Sequence, residues 1–506
     1  LRVIQIARSA FSNWFATAST LVVSYFMAPF LIHRLGNVEY GIWVLALSTT
    51  GYLYFLDLGF RSSVLRFVSR AYSTKNHEEA SQVVSAVLWV RMQIGALTLV
   101  LASAISILFP KLFHLPQPLW KSSQEALFII GLTISVNMPL SAIGAVLSAL
   151  NRYDLLSYVC LLQLIIRAGG VVLVVRGGQG IAAIAMCELL ASLVGNALLI
   201  LITRHIYPEL RIRLQVPSRA VLRPLWSYGS YSFILLVSLQ LVYQADNVVV
   251  GALISAIGVT VYSIGNSLCR YTQQLFYAIT DTFISAASVY EASGTQAKLK
   301  ALYLNGTRTT LVLCVPILIT LIIRSPSFIT LWIGPQYSRA SAPITIVLSI
   351  ALMISLLNST ASSIAIGIEK HKPVAIWTVF EAISNLGLSI ALARRAGLVG
   401  VAVGTLVPSM IVNLVLWPSY IPKLLEVRGA EIVRRIVAPI TLCTLPFALA
   451  SWLTNIYFRP TSMPGFLTQT ILLLPTFYLP VLALYWGRMK RDIFPRFRQA
   501  ISDSGQ

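Results

Sequence analysis

Apolar residues in this chain come in long blocks separated by short polar breaks. Fourteen blocks occupy residues 11–33, 39–58, 81–109, 122–149, 155–175, 181–203, 227–254, 258–286, 308–324, 341–366, 374–393, 398–417, 436–454 and 467–486. A helix needs roughly 20 residues to cross about 30 Å of hydrocarbon. Each block therefore predicts one membrane-spanning helix, the longer ones with tilt or an interfacial turn. The pattern predicts an all-α integral membrane protein of about fourteen spans. The first block, "FSNWFATASTLVVSYFMAPFLIH", is too long for a signal-peptide core and runs straight into the next, so it reads as a retained helix.

Within the blocks, polar positions gather on particular faces. In span eight, Tyr262, Asn266, Arg270, Gln273, Gln274, Tyr277 and Asp281 recur at steps of three and four, one stripe over more than three helical turns. A lipid-facing helix cannot hold such a stripe, so it faces protein or a water-filled cavity. Span seven echoes it with Gln240, Gln244, Asp246 and Asn247, and span one more mildly with Asn13, Thr17, Thr20 and Ser24. Helices one, seven and eight read as cavity-lining. Inter-helical hydrogen bonding is the competing reading, strongest for the serines and threonines.

The second half repeats the first weakly at an offset of about 220 residues. "GGQGIAAIAMCELLASLVGN" ends at Asn196 and "ARRAGLVGVAVGTLVPSMIVN" at Asn413, each asparagine in the same relation to an earlier glycine (Gly180, Gly397). "SALNRYDLLSYV" pairs with "AIGIEKHKPVAIW", and Gly36 and Tyr40 pair with Gly258 and Tyr262. The repeat unit is six helices. An even number keeps both copies in one orientation, which puts their pseudo-two-fold axis along the membrane normal and a working site between two lobes. The expected organisation is a first six-helix lobe over 1–206, a cytoplasmic linker over 207–225, and a second six-helix lobe over 226–420. Helices thirteen and fourteen over 421–486 and a basic cytoplasmic tail over 487–506 complete it.

Composition agrees: 57% of the 506 residues are hydrophobic, 11% are charged, and the mean hydropathy is +0.78. The net charge of +21 does not point to nucleic acid. With the N-terminus in the cytoplasm, 26 of the 38 Lys and Arg lie on the cytoplasmic side and 9 on the other, and Arg91, Arg167 and Arg270 lie inside spans. That is the positive-inside bias. The clusters at 204–223 and 487–499 are placed to face anionic lipid headgroups. The segment 61–80 is short, basic and amphipathic, and is expected on the membrane surface. Asp57, Arg61 and Arg66 mark the cytoplasmic end of span two as a candidate gate, and Glu381 has no assigned direction.

Chemistry of other kinds finds no foothold. Cys160, Cys187, Cys269, Cys314 and Cys443 all lie in spans without a CxxC pair, and there is no HExxH or GxxxxGK[ST] motif. No metal, cofactor or nucleotide is expected. The sequons at Asn305 and Asn358 fall at or inside spans and are discounted. Arg167 in span five lies roughly 12 Å below the outer end, level with Glu188 in span six at roughly 10 Å. An ion pair that fixes helix register and a cation that draws an anionic cargo are both open readings. Asn385 and Thr405 replace the two at the repeated positions, changing together. Arg91, about ten residues into span three, is too deep for an interface residue.

"LGNVEYGIWVL", "FLDLGFRSSVLRFVSR", "FITLWIGPQY" (328–337) and "IGIEKHKPVA" (366–375) resemble the oligosaccharide flippases of polysaccharide and O-antigen biosynthesis. These belong to the superfamily that also holds multidrug and toxin exporters and lipid II flippases. The resemblance runs from about residue 5 to 490 and rests on glycine, aromatic and charge positions. It implies a V-shaped pair of six-helix lobes in a bacterial inner membrane, with both termini cytoplasmic. It also implies a cargo of undecaprenyl-pyrophosphate-linked oligosaccharide moved to the outer leaflet, with polysaccharide polymerase and chain-length machinery as partners. Two helices beyond twelve match the fourteen-span flippases better than the twelve-span exporters.

Cargo and residues agree chemically. A diphosphate needs multi-donor cations such as Arg270, Arg91 and Arg167, whereas sugar hydroxyls need amides and aromatic faces. The candidate binding set is Arg270, Gln274, Gln273, Asn266, Tyr277, Asp246, Asn247, Gln244, Asn13, Arg91 and Arg167. Asp246, Asp281 and Glu188 are candidates for a coupling ion. A drug or small-cation exporter of the same fold is the alternative. A membrane glycosyltransferase or polymerase ranks below it, because the longest outer loop, around 325–340, carries no carboxylate.

Overall fold

The computed structural model describes residues 2–57, 60–213, 216–218, 237, 240–242 and 244–492, with side chains described between 11 and 485 except at 60–62. The candidate gate residue Arg61, the stretch 219–236 from the predicted linker into span seven, and the tail beyond 492 lie outside these limits. The first half contains α1 (Arg2–Gly51), a 3-10 turn (Tyr52–Asp57), α2 (Phe60–Ser73), α3 (His77–Leu112), α4 (Trp120–Ala149), α5 (Tyr153–Arg176) and α6 (Ile181–Ile206). Next come α7 (244–253), α8 (Ala256–Ala292), α9 (Gln296–Trp332), α10 (Pro335–Gly367) and α11 (Lys372–Ile411). The chain closes with α12 (Trp417–Leu425), α13 (Gly429–Ile432), α14 (Ala438–Tyr457), α15 (Met463–Leu473) and α16 (Pro475–Asp492). No strand occurs among the described residues.

Ten segments among the described residues are long and apolar enough to cross a membrane. Two of them are double. Phe11–Asp57 has 47 residues and Lys372–Leu425 has 54, or about 70 and 80 Å of helix, more than twice the hydrocarbon thickness. Each is broken at a glycine between two predicted spans, Gly36 (φ 77°, ψ 173°) and Gly397 (φ 58°, ψ −141°). Positive φ is open to glycine at little cost. Helices of that length stay in a bilayer only by turning back at the break. Predicted span eight is α8, helical over 37 residues but kept out of the apolar set by its polar stripe.

The structure corrects two expectations. The predicted outer loop around 325–340 is mostly helix: α9 runs to Trp332 and α10 starts at Pro335. Proline is tolerated in a first helical turn, where its missing N–H has no partner to lose, and Gly334 turns the chain at φ 145°. The amphipathic stretch 61–80 is not one surface segment. α2 buries Val64, Val68 and Ala71, and Ser69 donates to the Ala149 carbonyl at 3.1 Å. Arg66 and Arg70 lie on its exposed side. α3 then begins afresh at the Asn76 cap, whose side chain accepts from the Glu79 N–H at 3.1 Å.

The chain divides into two compact units, Leu1–Ser263 with Thr378–Val401, and Ile264–Trp377 with Ala402–Gln506. In the first, α3 and α4 approach through small residues, Gly95 against the Ser135 carbonyl and Gly131 against Ala102. In the second, Leu318, Leu356, Ile364, Trp417, Phe447 and Phe477 share a core contributed by α9, α10, α12, α14 and α16. Each unit also holds a clasp of asparagines. Asn137 Oδ1 accepts from Ser192 and Asn196, both at 2.6 Å. Asn358 donates to the Asn413 carbonyl at 2.7 Å, beside a Ser355–Ser409 pair at 3.0 Å. Asn196 and Asn413 are the residues that the sequence repeat aligns.

Candidate transport site

α8 presents two faces. Ile264, Leu268, Cys269, Thr272, Phe276 and Thr280 are buried. This face packs on α10, with Gly265 against the Ser341 carbonyl and Cys269 Sγ 3.4 Å from Ser349 Oγ. The other face carries the polar stripe. Asn266, Arg270 and Gln273 are half-buried, and Gln274, Tyr277 and Asp281 are exposed. Gln273 Nε2 donates to the Tyr277 hydroxyl at 3.5 Å. Six of the predicted residues thus share one open helix face. Hydrocarbon tolerates a cation, a carboxylate and amides together poorly, so the stripe calls for a protein partner or water.

The span-seven candidates have a different setting. Asp246 and Asn247 are buried, and Gln244 is half-buried against Gly51. Asp246 Oδ2 accepts from the Tyr262 hydroxyl at 2.6 Å, and Asn247 Nδ2 donates to Ser48 Oγ at 3.0 Å. Both side chains are engaged with helices of the first unit, the inter-helical bonding that the sequence left as an alternative.

Four of the charged candidates in the first unit form two ion pairs. Arg167 reaches both Glu188 oxygens at 3.4 Å, and the pair is 39% and 34% exposed. It is loose and open on one side. Arg91 and Asp57, assigned separate roles from sequence, form one ion pair, with the arginine 3% exposed and Met138 beside it. Asn13 is exposed on α1.

Sequence reasoning missed Arg324. It is fully buried, donates to Gln469 Oε1 at 2.5 Å and Thr470 Oγ1 at 3.4 Å, and lies 4.5 Å from the Phe466 ring centre. It ties α15 to α9. At the edge of an apolar block it reads as a loop charge, and its neutral partners leave no charge pattern to find.

At the other end of the first unit, the segment after α6 runs along α3. The backbone N–H groups of Arg211 and Arg213 donate to Ser81 and Ser85 at 3.0 and 2.9 Å. Tyr207 anchors it, its hydroxyl 2.7 Å from His77 Nδ1, and burial pushes the phenol above its usual range. A cavity of about 820 Å³ opens there, lined by both basic and acidic side chains including Arg211, Arg213, Glu78 and Glu209.

The described residues form an all-helical membrane fold with ten segments long and apolar enough to cross a bilayer, and solved structures match it. The lipid II flippase MurJ, in an inward closed conformation, aligns with TM-score 0.72 at 16% identity, over 95% of this chain and 99% of its own. An inward-facing multidrug resistance MATE family transporter of the MOP superfamily aligns with TM-score 0.64 at 16% identity, over 78% and 97%. In sequence, residues 34–342 match the family described as polysaccharide biosynthesis protein. The chain belongs to that family. It is also 22% identical over 438 residues to the uncharacterized membrane protein EpsK of Bacillus subtilis (strain 168), covering 85% of this chain and 86% of that protein.

Proposed function

We propose that this protein is a flippase that carries an undecaprenyl-pyrophosphate-linked oligosaccharide from the cytoplasmic to the outer leaflet of a bacterial inner membrane. It would work by alternating access between two six-helix lobes, with both termini in the cytoplasm. The cargo would feed O-antigen or exopolysaccharide synthesis, where a polymerase and chain-length machinery take it up. The observation that carries this reading is the open face of α8, where Arg270 stands among Asn266, Gln273, Gln274 and Tyr277. A guanidinium offers five donors to a diphosphate, and amides and a phenol suit sugar hydroxyls. No covalent chemistry is part of the cycle. A cation exporter would need a carboxylate-rich face, and among the described stripe residues only Asp281 is one.

The direct test is the sidedness of lipid-linked oligosaccharide in cells lacking the protein. Wild type should restore outer-leaflet precursor, and Arg270→Ala at equal membrane level should not. Losing a charge-assisted hydrogen bond of about 1.5–3 kcal/mol predicts a roughly 10- to 100-fold drop. Normal sidedness in the deletion strain would sink the reading.

Arg167 and Glu188 allow a second test. Exchanging them as Arg167→Glu with Glu188→Arg keeps one cation beside one carboxylate at the same depth, so stability is expected to change little. If the guanidinium serves the cargo, the exchanged protein keeps its thermal midpoint and loses flipping. Full activity in the exchanged protein would make the pair a register pin.

A further inference from the structure

An extended segment advances about 6.6 Å over two residues, and a helix about 6 Å over four. Laid side by side, every second N–H of the one can therefore meet one side chain per turn of the other. The segment after α6 does this along α3. The Arg211 N–H donates to Ser81 Oγ at 3.0 Å and the Arg213 N–H to Ser85 Oγ at 2.9 Å. The Tyr207 hydroxyl, 2.7 Å from His77 Nδ1, fixes the start of the run at the first turn of the helix. Side chains two apart in an extended chain share a face, roughly 7 Å from one another. The register thus sets Arg211 and Arg213 abreast, and both line the cavity of about 820 Å³. Both are exposed, and neither is ion-paired among the described residues.

Depth sorts the charges around this cavity. The apolar block of span three begins at Ser81 and that of span six ends at Thr203. The cavity therefore straddles a membrane surface, on the side that the charge bias makes cytoplasmic. Glu78, in the first turn of α3, and Glu209, just past α6, stand on its rim. Arg211 is level with Ser81, and Arg213 with Ser85, about 6 Å further in. Ile212 between them and Val216 in the cavity wall are 42% and 78% exposed. We infer that this cavity holds the headgroup of a phosphate-bearing lipid of that leaflet. Guanidiniums at this depth meet the phosphate layer, and each offers it a fork of donors. The Gln82 amide and the rim carboxylates suit the amine or hydroxyls that a headgroup carries above its phosphate. Ile212 and Val216 suit its chains. A soluble anion would meet the carboxylates first and would have no use for the two apolar side chains. The inference needs the membrane placement of the chain and not the identity of the cargo.

The test titrates the full-length protein in detergent with single ligands and counts bound molecules by native mass spectrometry. The ligands are phosphatidylethanolamine, phosphatidylglycerol, a polyprenyl pyrophosphate, the phosphate-free lipid diacylglycerol, and inorganic pyrophosphate. A phosphate-bearing lipid is expected to bind best, and Arg211→Ala with Arg213→Ala to weaken it roughly 10- to 100-fold. The segment is pinned by main-chain N–H groups, so this variant should keep the wild-type thermal midpoint. Arg394→Ala with Arg395→Ala, the same charge loss at exposed positions of α11, should leave binding unchanged. Gln82→Trp fills the cavity while both arginines stay, and should block binding as well. Preference for a phospholipid makes the occupant a resident membrane lipid, and preference for the polyprenyl pyrophosphate makes it the lipid carrier of the proposed cargo. Equal affinity in the double-alanine and control proteins would overturn the site, as would diacylglycerol bound as tightly as the best phosphate-bearing lipid. Inorganic pyrophosphate bound as tightly as any lipid would overturn the lipid assignment. A protein that fails the flipping test but binds lipid through these arginines refutes the cargo and leaves the site standing.

Discussion

Asp57→Ala is expected to lower the stability of the folded protein by about 3–5 kcal/mol, the usual cost of leaving one member of a buried ion pair alone. Its partner Arg91 is 3% exposed in α3, and the pair fastens the end of the first double segment to the helix that follows α2. Water cannot reach the guanidinium to compensate for the lost carboxylate. Thermal unfolding of purified protein in detergent, read by size-exclusion chromatography after heating, should show the loss. Removing both charges with Asp57→Ala and Arg91→Leu should recover part of it, since no uncompensated charge remains. A single variant as stable as wild type would mean that Arg91 finds its compensation elsewhere.

Gly95→Val should be nearly as damaging. The new Cβ would stand 2.7 Å from the Ser135 carbonyl oxygen, a backbone atom of α4 that cannot swing aside. The same substitution pushes apart the 2.7 Å bond from Ser135 Oγ to the Gly95 carbonyl. Overpacking costs about 1–3 kcal/mol and the lost hydrogen bond about 1 more. Gly169→Val on α5 is the control, because a Cβ there meets nothing within 4 Å. The same heating assay should separate the two variants clearly, and equal midpoints would refute the tight approach of α3 to α4.

What the sequence discloses here follows from the range of the forces involved. Lipid imposes its demand residue by residue, so apolar blocks and the stripe on α8 are legible: each side chain reports its own surroundings. Arg167 and Glu188 are legible as neighbours too, because a short turn between adjacent spans makes depth a matter of counting. Asp57 and Arg91 are not, since an intervening helix, α2, decides whether they meet. Arg324 hides for a related reason. Its partners are an amide, a hydroxyl and a ring far along the chain, and none of these marks a cation site in a linear reading. The supposed loop near 325–340 misled because proline and serine look the same in a loop as in a helix end clamped by its neighbour. Here Ser338 donates to the Pro326 carbonyl at 2.8 Å and draws α10 against α9.

The breaks at Gly36 and Gly397 also govern how the protein can be handled. Each passes one crossing to the next through a single left-handed residue, which leaves no slack peptide standing in solution. Proteases and antibodies grip extended chain, and exposed loop tips are where nicking and tolerated insertions concentrate. At these two turns there is nothing to grip. An epitope tag or fluorescent reporter spliced into either would have to push two helices apart, so a reporter is better carried on the exposed turn at Gly178.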